Sequence, residues 1–107
     1  MYKRSVLPIC LLVLGTLFFA GQVLAHTPLC SCYDNGDGTI TCEGGFSDGS
    51  SAAGVEMRVE KDGNVLLQGK MDEDSEFTFN KPAEGYKVVF DAGEGHEIEI
   101  DGKEIVE

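Results

Sequence analysis

From Val55 to Lys61 the residues alternate without a break, with Val55, Met57 and Val59 on one parity and Glu56, Arg58 and Glu60 on the other. A strand sends successive side chains to opposite faces, so this pattern belongs to a sheet with one buried and one wet face, not to a helix. His96-Glu97-Ile98-Glu99-Ile100 repeats it, Phe77 and Phe79 share a parity, and so do Tyr86, Val88 and Phe90. Further β-rich runs cover Thr39 to Phe46 and Asn64 to Gln68, and Gly, Asp and Asn turn signals recur about every ten residues, with Asp62-Gly63 as a hairpin signal. No stretch sustains a helical period. The expected fold is all-β, a small antiparallel β-sandwich of six or seven short strands.

The start of the chain is different in kind. Lys3 and Arg4 precede an uncharged run from Ser5 to Val23, and Val23-Leu24-Ala25 places small residues where a secretory signal is cut. The apolar stretch, which contains Pro8, falls short of the roughly 20 residues that cross a bilayer. Residues 1–25 therefore read as a cleaved signal peptide and 26–107 as a single β-sandwich domain, periplasmic or otherwise extracytoplasmic. No membrane span is expected once the signal is gone. Loss of Lys3 and Arg4 takes the net charge from -11 to -13, because all 19 Asp and Glu lie beyond the cut. Such a surface repels nucleic acid and attracts cations.

Three cysteines remain in that domain, Cys30, Cys32 and Cys42, since Cys10 leaves with the signal. Asp34-Asn35-Gly36-Asp37-Gly38 is a dense turn signal between Leu29–Tyr33 and Thr39–Phe46. With Asp37 at the tip, paired positions sum to 74, so Cys32 faces Cys42 and Cys30 shares their face. Two chemistries fit that arrangement. One is a Cys32–Cys42 disulfide with Cys30 left over, which an oxidising compartment favours; the other is a shared thiolate metal site. Cleavage after Ala25 would also make His26 the N-terminal residue, whose α-amine and imidazole can chelate one ion. Amine, imidazole and thiolate donors suit Ni, Co, Cu or Zn rather than Ca²⁺ or Mg²⁺.

Asp34, Asp37 and Glu43 lack the spacing and flanking helices of an EF-hand. No nucleophile, base and acid grouping stands out either, so the chain reads as a non-enzyme.

Phe46-Ser47-Asp48-Gly49, Ala53-Gly54-Val55, Lys61-Asp62-Gly63-Asn64-Val65-Leu66, Gly69-Lys70-Met71-Asp72-Glu73 and Glu76-Phe77-Thr78-Phe79 follow in an order that resembles carboxypeptidase-regulatory-like, prealbumin-type domains, which are Ig-like sandwiches. Asp91-Ala92-Gly93-Glu94-Gly95-His96, together with a His directly after an Ala cleavage site, is similar to the small extracytoplasmic component of nickel and cobalt energy-coupling-factor transporters. That resemblance implies capture of Ni²⁺ or Co²⁺ outside the membrane and its presentation to a membrane-embedded transporter subunit. His26 and His96 are the positions that carry over, and Cys30, Cys32 and Cys42 are added as candidate ligands. Two departures stand out: family members often end in a membrane-spanning helix, whereas this sequence stops at Glu107, and Glu97 stands where Arg commonly follows the Gly-His step. Gly93 and Gly95 read as turn positions that need left-handed backbone. The competing reading is a plain interaction or structural module without specific metal affinity. The His26, Cys30 and Cys32 grouping also resembles the nickel hook of nickel superoxide dismutases, but those are helical and space their cysteines differently.

The exported form is expected to begin at His26. Intact-mass measurement of protein from the exported fraction checks this, and an uncut N-terminus there would remove it.

Overall fold

The structure is a computed structural model that describes residues 26–107. The expected signal segment and Cys10 lie outside the described residues. Seven strands form in chain order: β1 Pro28–Asp34, β2 Thr39–Phe46, β3 Glu56–Lys61, β4 Asn64–Lys70, β5 Glu76–Asn80, β6 Tyr86–Asp91 and β7 Glu97–Asp101, followed by a 3₁₀ turn over Gly102–Glu104. They make two antiparallel sheets, a three-stranded one ordered β1-β2-β5 and a four-stranded one ordered β4-β3-β6-β7. The expected small β-sandwich is what forms. Among the described residues no helix is long and apolar enough to cross a membrane.

Local chemistry explains the turns. Asp62 and Gly63 both take positive φ, 52° and 79°, as the two-residue link between β3 and β4 requires. The expected left-handed glycines of the β6–β7 connection are also present, Gly93 at 116° and Gly95 at 78°. Pro28 opens β1 without breaking it, because β1 is an edge strand and that is where a missing N–H is tolerated.

The two sheets meet on the apolar parity of each strand. Ile40 and Cys42 from β2, Met57 and Val59 from β3, Phe79 from β5, and Tyr86, Val88 and Phe90 from β6 are buried together with Ala52, Met71 and Ile105. Phe46 and Phe90 bring their ring centroids to 6.2 Å across the sheets. The outer face of the four-stranded sheet is built differently. Arg58 donates from Nε to Glu60 at 2.9 Å and from Nη1 to Asp91 at 2.7 Å, and Lys87 reaches Glu99 at 3.1 Å. The bonds to Asp91 and then Glu60 hold the Arg58 proton more tightly than usual, and in return Arg58, followed by the Gly93 amide, keeps the Asp91 carboxyl below the usual range. Val89 sits in register between Arg58 and Glu99 on this wet parity, yet it is fully buried.

Phe90 is completely enclosed and makes the inter-sheet contact with Phe46. Phe90→Ala is therefore expected to lower the unfolding free energy by about 3–5 kcal/mol, read from urea melts of the oxidised protein. A loss below about 1 kcal/mol would show that the two sheets do not depend on this ring.

Candidate functional site

The N-terminal end of the described chain is docked, not free. Thr27 and Ser47 clasp each other, with the Ser47 amide donating to the Thr27 carbonyl at 2.9 Å and the Thr27 amide donating to Ser47 Oγ at 3.0 Å. That fixes His26 just beyond the end of β2. Its ring stands edge-on to Phe46, with centroids 6.5 Å apart, and its Nδ1 lies 2.8 Å from Asp48 Oδ2. The other oxygen of Asp48 accepts from the Ser50 hydroxyl at 2.6 Å and the Ser50 amide at 3.0 Å. Those two bonds, with a smaller contribution from His26, hold the Asp48 carboxyl below the usual carboxylate range. The His26 side chain remains 65% exposed, so an ion from solvent can reach it.

His96 lies in the connection after β6. Its amide donates to the Gly93 carbonyl at 2.9 Å, and its own carbonyl accepts from Ala92 at 3.1 Å. The ring Nδ1 stands 3.2 Å from the Glu94 carbonyl; a carbonyl only accepts, so that bond puts a proton on Nδ1, and Nε2 is the other ring nitrogen of this exposed residue. His26 and His96 spring from the same end of the sandwich, because the Phe46–Phe90 contact joins the last residue of β2 to the penultimate residue of β6. Still, among the described residues no three His, Cys, Asp or Glu side chains converge closely enough to hold an ion.

The cysteines follow the expected register, with Cys32 opposite Cys42 and Cys30 opposite Gly44. Cys32 and Cys42 are joined as a disulfide, and Cys30 is the free thiol. A bridged sulfur is not a thiolate, so in this state Cys32 and Cys42 offer an ion nothing. Cys30 packs against the core, and burial pushes its thiol up to about 11. It stays protonated near neutrality and is a poor ligand there. Of the five candidate ligands, the two histidines thus keep a donor nitrogen available, and the three cysteines form a structural group.

Asp48 is the neighbour that sequence reading left without a role. The signal was present: the rule that pairs sum to 74 extends beyond Pro28 to set Thr27 against Ser47 and His26 against Asp48. A separate concavity of about 710 Å³ lies at the opposite end of the sandwich, where Lys61, Lys81, Tyr86 and Lys103 are among its walls; it includes none of the candidate ligands. No protein-family model, curated protein or solved structure matches the chain.

Thiol counting on the unfolded, unreduced protein processed to begin at His26 is expected to give one free thiol per chain; three would reject the bridge. In the native state at pH 8 that thiol should alkylate about a hundredfold more slowly than in urea, because two units of pKa separate the thiolate fractions below pH 9. Reduction of the bridge, which closes a loop of about ten residues, should remove about 2–3 kcal/mol of stability, measured by urea unfolding with and without reductant.

Proposed function

We propose that the chain, processed to begin at His26, is an exported accessory component of a nickel or cobalt uptake transporter. It takes Ni²⁺ or Co²⁺ as cargo on its N-terminal histidine and presents the ion to a membrane-embedded subunit. The observation that carries this reading is the docking of His26, whose Nδ1 is held at 2.8 Å from the Asp48 carboxylate while the side chain stays open to solvent. Nδ1 is the ring nitrogen that closes a six-membered chelate with the α-amine of the same residue. The clasp of Thr27 on Ser47 and the edge contact with Phe46 lower the ordering cost of that chelate.

The rest of the domain fits a cargo carrier better than a catalyst. A net charge of -13 over residues 26–107 raises the local concentration of cations. His96 Nε2, at the same end of the sandwich, is a second imidazole donor for loading or release. Leu29 and Tyr33 lie exposed on the outer parity of β1 and give a partner subunit apolar contacts on a strand continuous with the docked N-terminus. In the competing reading, a plain interaction module, that surface is the whole function and affinity for Ni²⁺ or Co²⁺ is no greater than that of any acidic protein.

Calorimetric titration with Ni²⁺ or Co²⁺ separates the two. Protein beginning at His26 is expected to bind one ion per chain, and a form with one glycine added before His26 is expected to bind at least about tenfold more weakly, because the amine moves away from the ring. Affinity should rise with pH as the α-amine, with an ordinary pKa of about 7.7–8.0, loses its proton. Identical titrations for the two forms would leave the interaction module as the better reading.

A further inference from the structure

We propose that Asp48 supplies the third protein donor to the ion held by His26, making an amine, imidazole and carboxylate set that suits right-angle coordination. This rests on the reading of His26 as the capture residue and names the ligand that reading lacks.

The geometry comes first. Asp48 divides its two oxygens between separate tasks: Oδ1 accepts both Ser50 bonds, and Oδ2 points at His26 Nδ1. With Oδ1 anchored twice, the carboxylate does not have to find its orientation when an ion arrives. Among the described residues the ion pair of Asp48 is with His26 alone. The ring is fixed from its side by Phe46, and the backbone between the two residues is fixed by the Thr27–Ser47 clasp. Two donors are therefore held facing each other on a partly open surface.

The donor set bears on which ion fits. Donors at right angles on bonds of about 2.0–2.1 Å stand about 2.9 Å apart, whereas tetrahedral donors on the same bonds stand about 3.3–3.4 Å apart. The observed 2.8 Å is an ordinary imidazole–carboxylate contact and lies near the right-angle spacing. Tetragonal sets of nitrogen and oxygen favour Ni²⁺ and Cu²⁺, and octahedral Co²⁺ shares the same right angles, while Zn²⁺ in closed protein sites prefers the tetrahedron. No sulfur enters the set, since Cys32 and Cys42 are bridged and Cys30 faces the core. Loading displaces a proton from the α-amine, so it releases protons to solvent.

The test uses protein beginning at His26, confirmed by mass, as wild type, Asp48→Asn and Asp48→Ala. Asn keeps an amide oxygen that can accept the Ser50 bonds, so metal-free melting of this variant should match wild type and report an intact turn. Ni²⁺ titrations and the visible absorption of the bound ion are the readouts. Both variants are expected to bind at least about tenfold more weakly and to shift the absorption band, and wild type should prefer Ni²⁺ to Zn²⁺. Wild-type affinity and band in Asp48→Asn, including the case where Asp48→Ala alone is weakened, would overturn the ligand role while leaving capture by His26 standing. Absence of one-to-one Ni²⁺ binding in wild type would overturn both.

Discussion

The Cys32–Cys42 bond crosses an antiparallel pair in which every partner is fixed by one turn, Asp34 to Gly38, and what happens at the N-terminal end depends on that crossing. A strand has a period of two, so a slip of one residue would turn Cys30 and Cys32 out of the sandwich and Leu29 and Tyr33 into it. The bridge forbids the slip. Asp34 and Asp37 set the turn itself, accepting from the Gly36 and Thr39 amides at 2.8 and 3.0 Å. Because the register is locked near its middle, the residues before Pro28 arrive opposite Ser47 and Asp48. The docking of His26 is thus a consequence of backbone pairing that begins eight residues away, at Asp34, not of a local motif around the histidine.

The two outer faces of the sandwich divide the work of keeping so acidic a domain folded. On the four-stranded sheet Arg58 and Lys87 are spread among Glu60, Asp91, Glu97 and Glu99, so the like charges of neighbouring strands do not face each other unrelieved. These pairs are partly open to water, and their worth lies in cancelled repulsion more than in attraction. The three-stranded sheet instead presents Leu29, Tyr33 and a row of hydroxyls, with Thr41 bonded to Thr78 and Asn35 bonded to Thr39 and Thr41. One face is thus a charge lattice, and the other sets the facing carboxylates of Glu43 and Glu76 among hydroxyls and apolar groups.

Much of the architecture was legible because alternation is a direct image of the pleat. The runs around Met57, Phe79 and Val88 carry strands, their buried parity and the sandwich class, and the summing rule carries the Cys32–Cys42 opposition. What stayed hidden involves partners distant in sequence. That β5 would pair with β2 and β6 with β3 follows from how two sheets share one core, and alternation within a strand is silent on it. Val89 breaks the parity rule for the same reason: its cover comes from neighbouring strands, with Arg58 and Glu99 beside it in register. Asp48 stands in the Phe46–Gly49 segment that carries the family resemblance and has no role there, although the register that pairs the cysteines already sets it opposite His26. His96 was correctly placed after a glycine turn, while its distance from other donors depended on the fold.

Burial of Cys30 also bears on how the chain holds its covalent form. A thiol two residues from a disulfide, on the same face of the same strand, is a neighbouring nucleophile whose attack would exchange partners, free Cys32 or Cys42 and pull β1 out of register. Exchange proceeds through the thiolate, and a pKa of about 11 leaves almost none at neutral pH. The packing that makes Cys30 useless as a ligand therefore makes the bridge self-insulating: while the chain is unfolded the three sulfurs can shuffle freely, and closing the sandwich over Cys30 quenches the shuffling with the pairing that fits. The fold chooses its own crosslink and then removes the reagent that could undo it.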